Sequence, residues 1–197
     1  MLASWLEGQG WQVVLTREPG GTAFGDALRE ILLSPVDYAI LPESEVLLLA
    51  AARAQHVRER ILPALEAGIA VVCDRFVDST LAYQGGGHGI SLDRLIPIQE
   101  FATGGLEPDL RMLLDIPVDI GLARRHADPS SVNRIDRASV AFHERVRQTF
   151  LSLAEANPDG WSVIDGCDDV ASVARTLHTE IEMRVLTRFL PPPTRSS

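Results

Sequence analysis

The stretch from Ala70 to Gly87 constrains this chain more than any other. Ala70-Val71-Val72-Cys73 is a short apolar run with β-branched residues, preceded by Gly68, and it predicts a strand buried on both faces. At its carboxyl end the pattern turns to charge, Asp74 beside Arg75, and runs on through Phe76, Ser79, Thr80, Tyr83 and Gln84 to Gly85-Gly86-Gly87. In an open parallel α/β sheet, ligands bind outside the carboxyl ends of the strands. A carboxylate there can hold the water shell of Mg²⁺, and a guanidinium can fork two oxygens of a phosphate. The bland alternative is a strand ending in an ordinary solvated ion pair, so the two charges decide nothing alone.

The rest of the chain repeats the alternation of strand and helix. Leu2, Trp5 and Leu6 mark an amphipathic helix over Met1–Gly8, and Trp11–Thr16 reads as a strand. Arg17–Gly21 is a loop, with Thr22 placed to cap a helix bearing Phe24, Leu28, Ile31 and Leu32. A long helix is expected from Pro42 to about Glu66, with Pro63 a kink point. Ser91 can cap the next helix, to about Thr103. Leu110–Asp115 is a strand, and Pro117 opens a short helix that ends at Arg124 and Arg125. His126–Val132 is polar and reads as a mobile segment. Phe142, Val146, Phe150 and Leu153 share one helix face, Trp161–Ile164 is a last strand, and Val170 to Val185 spans a final helix. This order predicts an α/β fold with a doubly wound parallel sheet. It suits one domain over residues 1–188, with a lid near 126–137 and a disordered tail over 189–197.

With 197 residues the chain can bury roughly 70% of its unfolded surface. No apolar run approaches the roughly 18 residues of a membrane span, and the first residues carry no secretory pattern. A cytoplasmic protein is expected, with neither membrane nor nucleic acid as partner, since a net charge of −9 lacks the basic footprint that nucleic acid demands. The two cysteines imply no disulfide framework, and neither they nor the five histidines show zinc-ligand spacing. Cys73 reads as a small core residue rather than a nucleophile.

Four blocks, in order, carry a family resemblance: Thr16-Arg17-Glu18-Pro19-Gly20-Gly21-Thr22; Ala51-Ala52-Arg53-Ala54-Gln55-His56; Asp74-Arg75-Phe76 with Ser79-Thr80, Ala82-Tyr83-Gln84 and the glycines; and Phe101-Ala102-Thr103-Gly104-Gly105-Leu106 running into Pro108-Asp109-Leu110. Together they resemble thymidylate kinase, from Trp5 to about Val185. The resemblance implies a sheet of the P-loop nucleoside monophosphate kinase type, transfer of the ATP γ-phosphoryl group to dTMP, Mg²⁺ as cofactor and a homodimer.

It also implies roles. Asp74 would hold Mg²⁺, through water, with Arg75, Arg17 and the lid arginine Arg134 neutralising phosphates. Arg124 and Arg134 would lie on the ATP side, and Glu18 near the acceptor. Arg53 matches an arginine that faces base and sugar-phosphate, although a lone helical arginine is ordinarily solvent-facing. One turn earlier the family often has a stacking Phe, and this chain has Leu49, which keeps apolar contact only. Thr80, Tyr83 and Gln84 would read thymine and deoxyribose, where a polar loop is the plainer reading. The glycine run alone means only a flexible loop. Arg124, Arg125, Arg134 and Arg137 could equally form a solvated basic face. The lid block stands as Asn133-Arg134-Ile135-Asp136, with its arginine kept and its acidic residues altered.

One expected block is missing. The P-loop, G-x-x-x-x-G-K-[ST], needs a lysine, and all 18 Lys+Arg residues are arginine. The first strand, central in this fold between Ala70–Cys73 and Leu110–Leu114, is expected to be absent from this chain along with the P-loop. Two readings follow: a dTMP kinase started at an internal methionine, with negligible turnover by these residues alone, or a non-catalytic nucleotide-binding relative or partner subunit. Another nucleotide kinase of similar fold is a third, disfavoured by the intact Arg-Glu-Pro-Gly-Gly block.

Overall fold

The computed structural model describes residues 1–34, 37–128 and 132–189. The chain opens with helix α1 (Leu2–Gly8), whose buried residue is Leu6, and turns into strand β1 (Val13–Arg17). Thr22 caps α2 (Ala23–Leu33) as its spacing predicts, its hydroxyl accepting from Gly25 N at 3.0 Å. Leu28 and Leu32 of that helix are buried, whereas Phe24 and Ile31 stand exposed. The apolar stripe there is therefore narrower than the four residues suggested.

The long helix is present from Pro42 to Glu66 in three pieces: α3 (Pro42–His56), a wide π-type turn (Val57–Ile61) and α4 (Leu62–Glu66). The expected irregularity at Pro63, which has no N–H to give, falls just before the proline, where Leu62 N–H reaches back to Val57 O. Strand β2 (Ala70–Asp74) follows, then the short α5 (Val77–Thr80) and a second π-type turn (Leu81–Gly87). Helix α6 (Leu92–Thr103) and strand β3 (Arg111–Asp115) come next, then α7 (Val118–His126). The segment expected to be mobile is described only in part, residues 129–131 lying outside. Beyond it Ile135–Arg137 forms a 3₁₀ turn. Helix α8 (Val140–Ala156), strand β4 (Trp161–Asp165) and α9 (Val170–Ile181) complete the order. Nearly all of the expected tail lies outside the described residues.

All strand pairing is parallel, as strands separated by helices require. β1 pairs with β2 in a register that sets Arg17 opposite Asp74, and β3 pairs with β4 so that Asp115 faces Asp165. Among the described residues these remain two two-stranded sheets with no strand joining them. This corrects the expectation for Ala70–Cys73: the run is half-buried, not enclosed on both faces. Its cause is the pairing, because β2 and β3 each keep one edge without a strand neighbour. Leu15, Leu114 and Val163 are correspondingly exposed on the strands. The apolar core lies among the helices instead. One cluster joins Val46, Leu81 and Leu95, and another joins Ala82, Phe142 and Val146.

Candidate active site at the carboxyl ends of the first two strands

The register of β1 and β2 brings two charged strand ends together. Arg17, Asp74, Gly21, Asp26 and Arg60 line an open cavity of about 570 Å³. Arg75, the next residue, is the one non-glycine with positive φ (69°) among the described residues. A bulky side chain there is held against its backbone preference, and such outliers gather at functional sites. Its guanidinium lies 5.2 Å from the centre of the Tyr83 ring, which in turn packs against Phe142 and Phe150.

A third arginine belongs to this group, and no motif announced it. Arg29, seven residues beyond the Thr22 cap, donates from Nη1 to Pro19 O at 2.9 Å. Burial, and then the nearby positive charges of Arg17 and Arg75, push its pKa below the ordinary arginine range. The positive charges of Arg17 and Arg75 disfavour that of Arg29, and an anion bound there would relieve that field. Asp74 and Asp26 offset it only in part.

Behind the strand ends lies a buried polar network. Arg53 is 2% exposed, far from the solvent-facing position that its isolation in an alanine run would suggest. Its Nε donates to Glu18 Oε2 at 2.7 Å, Nη1 to Thr80 Oγ1 at 3.2 Å and to Gln99 Oε1, and Nη2 to Phe76 O at 3.1 Å. Four of the five guanidinium N–H groups are thereby engaged, and one Nη2–H is left to give. Glu18 Oε1 accepts from His56 Nδ1 at 3.0 Å, and His56 Nε2 lies 2.7 Å from Thr16 Oγ1. Gly21 closes over that pair: a Cβ on it would stand 2.6 Å from both His56 Nε2 and Thr16 Oγ1, at a φ of +80°. Glycine at 21 is required by this close approach, and at 20 by Asp26 Oδ1, which a Cβ would meet at 2.7 Å.

The network continues along α3. Gln84 Nε2 donates to Glu45 Oε2 at 3.0 Å, and the other oxygen of Glu45 accepts from Arg134. Arg134 also donates from Nε and Nη2 to Leu32 O, at 3.2 Å each. The structure thus brings Glu18, Arg53 and Thr80 together and joins Gln84 to Arg134 through Glu45. Leu49, half-buried, lies one turn from both Glu45 and Arg53. Arg124 lies elsewhere, donating to Gly166 O at 2.7 Å and Cys167 O at 3.2 Å in the loop after β4. Arg125 pairs with Asp136 at 2.7 Å.

No motif singled out Glu45 or gave His56, inside its α3 block, a role, and none pointed to Gln99. The first two had a signal: Glu45, Arg53 and His56 stand at i, i+8 and i+11, with Leu49 between the first two, which puts polar residues on one face of a largely apolar helix. The glycine run also carries more than flexibility. A Cβ on Gly87 would sit 2.5 Å from Phe142 Cε2, and Arg145 donates to Gly86 O and Gly87 O. Cys73 is half-buried on β2 and stands outside the core clusters expected to hold it. Burial, then the charges of Glu18 and Asp74, push its thiol well above the usual range, which suppresses the nucleophilic thiolate.

The thymidylate kinase family model matches residues 1–177. The chain belongs to the thymidylate kinase family. It is 50% identical over 165 residues to a thymidylate kinase of Thermomicrobium roseum, covering 84% of this chain and 78% of that protein. A thymidylate kinase of Pseudomonas fluorescens is 48% identical over 180 residues, covering 91% and 85%. One of Pseudomonas savastanoi is 47% identical over 178 residues, covering 90% and 84%. The family's blocks fall where the geometry concentrates: the Arg-Glu-Pro-Gly-Gly loop supplies Arg17, Glu18 and Gly21, the α3 block Arg53 and His56, and the β2 end Asp74 and Arg75. Among the described residues no helix is long and apolar enough to cross a membrane.

Proposed function

We propose that this member of the thymidylate kinase family acts on dTMP, transferring the γ-phosphoryl group of ATP to its 5′-phosphate. The observation that carries this reading is the union of an exposed cationic strand end with a buried, pre-bonded arginine. Arg17, Arg29 and Arg75 would take the acceptor phosphate and its added charge. Arg53, with one N–H still to give, would meet the base or sugar-phosphate. Thr80, Gln84 and Glu18 would fix the pocket wall, Leu49 would contact the base, and Tyr83 would crowd the sugar. Positioning and charge stabilisation are what phosphoryl transfer asks of a protein.

Among the described residues no three carboxylate, histidine or cysteine side chains cluster as a closed metal cage. Mg²⁺ needs none, since it keeps several waters and takes one or two carboxylates beside substrate phosphates. Asp74, with Asp26 lining the same cavity, fits that demand, and the ion would supply charge neutralisation between the phosphates. Arg124 and Arg134 would lie toward ATP.

No G-x-x-x-x-G-K-[ST] stands within these 197 residues, which hold no lysine. We therefore infer that these residues alone turn over slowly, lacking a phosphate cradle, and that the unpaired edges of β2 and β3 suit one more parallel strand. A homodimer and a cytoplasmic setting fit the family reading. The rival reading, a nucleotide-binding relative without transfer, draws on the same absence.

The test is a coupled ADP-release assay with ATP, Mg²⁺ and dTMP, alongside calorimetric dTMP binding. It would use these residues alone and the same residues with a P-loop strand supplied ahead of them. Binding by both and turnover only with the strand is the expected result. Binding without turnover in either favours the rival, and no dTMP binding in either overturns the proposal.

A further inference from the structure

We propose that Glu45 is a specificity-determining positioning residue, which fixes the Gln84 side-chain amide so that its carbonyl oxygen accepts from the base and thereby selects a pyrimidine with an N3–H. The inference rests on the reading of the site as a dTMP pocket. It begins from an orphan: Gln84 is 2% exposed, yet its Oε1 has no hydrogen-bond partner. A buried acceptor left unsatisfied is costly, so such an atom calls for a donor from outside the chain.

The orphan's polarity is not free to change. A primary amide can turn over and exchange its N–H₂ for its carbonyl, so an isolated Gln reads either a donor or an acceptor. Gln84 cannot, because its Nε2 faces Glu45 Oε2 at 3.0 Å and an ionised carboxylate only accepts. Turning the amide would set oxygen against oxygen and forfeit a charge-assisted bond. Glu45 is itself 1% exposed and pinned from its other oxygen by Arg134, while His88 Nε2 lies 3.6 Å from Oε2. Its place is thus set by three segments of the chain.

The placement suits a base edge. Glu45 and Arg53 lie on one face of α3 with Leu49 between them. Gln84 reaches the first and Thr80 the second. An apolar side chain lies between an unpartnered buried acceptor at Gln84 and an Arg53 guanidinium with one N–H left to give. Thymine offers the complementary donor and acceptor at N3–H and O4. Cytosine offers a lone pair at N3 and an amine at C4, which would set acceptor against acceptor and donor against donor. A site built to hydrogen-bond rejects such an analogue strongly, because its own buried groups then stay unpaired.

The experiment is calorimetric binding of dTMP and dCMP to the 197-residue chain and its Glu45→Gln variant, with thermal unfolding to check that both fold. A neutral amide at position 45 can donate as well as accept, so Gln84 would be free to turn. The expected result is that the wild-type preference for dTMP over dCMP narrows at least tenfold in E45Q, chiefly through better dCMP binding. A merely structural role would weaken both nucleotides alike and leave the ratio standing, and that outcome overturns the proposal. If E45Q does not fold, Gln84→Met removes the acceptor while leaving Glu45 with Arg134, and an unchanged ratio there overturns it equally. A wild-type chain that binds neither nucleotide, or both alike, sinks the dTMP reading itself and this inference with it. Discrimination retained in E45Q sinks the inference alone.

Discussion

At the scale of single residues, the site is organised by Arg53. Its guanidinium satisfies a carboxylate, a hydroxyl, an amide and a backbone carbonyl while nearly excluded from water. Removing one member of a buried pair leaves the other charged and unpaired, at about 3–5 kcal/mol. Arg53→Met is expected to destabilise by that order, with Glu18 left to His56. Arg53→Lys keeps the charge but cannot fork to four acceptors. It should cost less stability yet weaken dTMP binding more than tenfold. Denaturant unfolding and calorimetry on both variants separate the two effects, and a lysine variant with undiminished dTMP binding would remove Arg53 from the site. Much of this was legible in sequence. Asp74 and Arg75 announce themselves by following an apolar strand, and Arg17 with Glu18 by following another. Gln99 and Arg29 were not legible, because what makes them matter is a partner brought in by folding. Gln99 meets Arg53 across 46 residues, and Arg29 feels Arg75 only once β1 and β2 have paired.

At the scale of elements, the π-type turn Leu81–Gly87 shows what spacing alone could not give. The sequence offers three glycines and suggests looseness, while the structure presses Gly86 and Gly87 onto α8 and Gly85 onto Leu92 and Leu95 of α6. Gly87 has no room for a methyl group beside Phe142, and a Cβ on Gly86 would fall 1.9 Å from Thr149 Oγ1. Gly87→Ala should therefore force α8 away and destabilise by about 1–3 kcal/mol, as overpacking generally does. Because Tyr83 and Gln84 lie in the same turn, dTMP binding should fall with it. A variant of unchanged melting temperature would contradict the packing. Helix α8 is also tied to the end of β3, where Arg147 forks onto Asp115 through Nε–Oδ1 at 2.7 Å and Nη2–Oδ2 at 2.8 Å. The hydrogen bonds of Arg147 hold the Asp115 carboxyl below the usual range against the cost of burial, with the charge of Arg147 adding less. A carboxylate with a lowered folded pKa adds stability above the ordinary carboxylate range and loses it as pH falls through the folded value. Arg147→Gln should thus lower stability slightly near neutrality, by about 1 kcal/mol for a half-buried pair still reached by water. It should change stability hardly at all once Asp115 is protonated in both states, and denaturant midpoints at pH 7 and pH 3 would show whether the difference closes. The pairing of Arg147 with a strand end 32 residues away had no local mark in the sequence.

At the scale of the whole molecule, the alternation of strand and helix predicted parallel pairing, and parallel pairing is found. What alternation cannot give is which strands become neighbours, since that depends on how the helices pack between them. Among the described residues the helices hold together two separate pairs, and this division has a measurable consequence. In a parallel ladder successive N–H groups of a strand point to alternate sides. Each of β2 and β3 therefore presents half of its amides to a partner strand and half to an edge without one. Hydrogen exchange should resolve this within one strand: the β2 amides that bond to β1 should be protected to the level of local opening, and the alternate ones should exchange far faster. The same pattern should hold in β3 against β4. Such edges, with Leu114 of β3 exposed, also invite strand addition by another chain. Protection of the edge amides should accordingly rise with protein concentration, whereas the paired amides should not change. Supplying one parallel strand between β2 and β3 should protect both edges at any concentration and raise the melting temperature. Uniform protection along β2 at high dilution would mean that its second edge is already paired, and the division into two sheets would then be wrong for the molecule in solution.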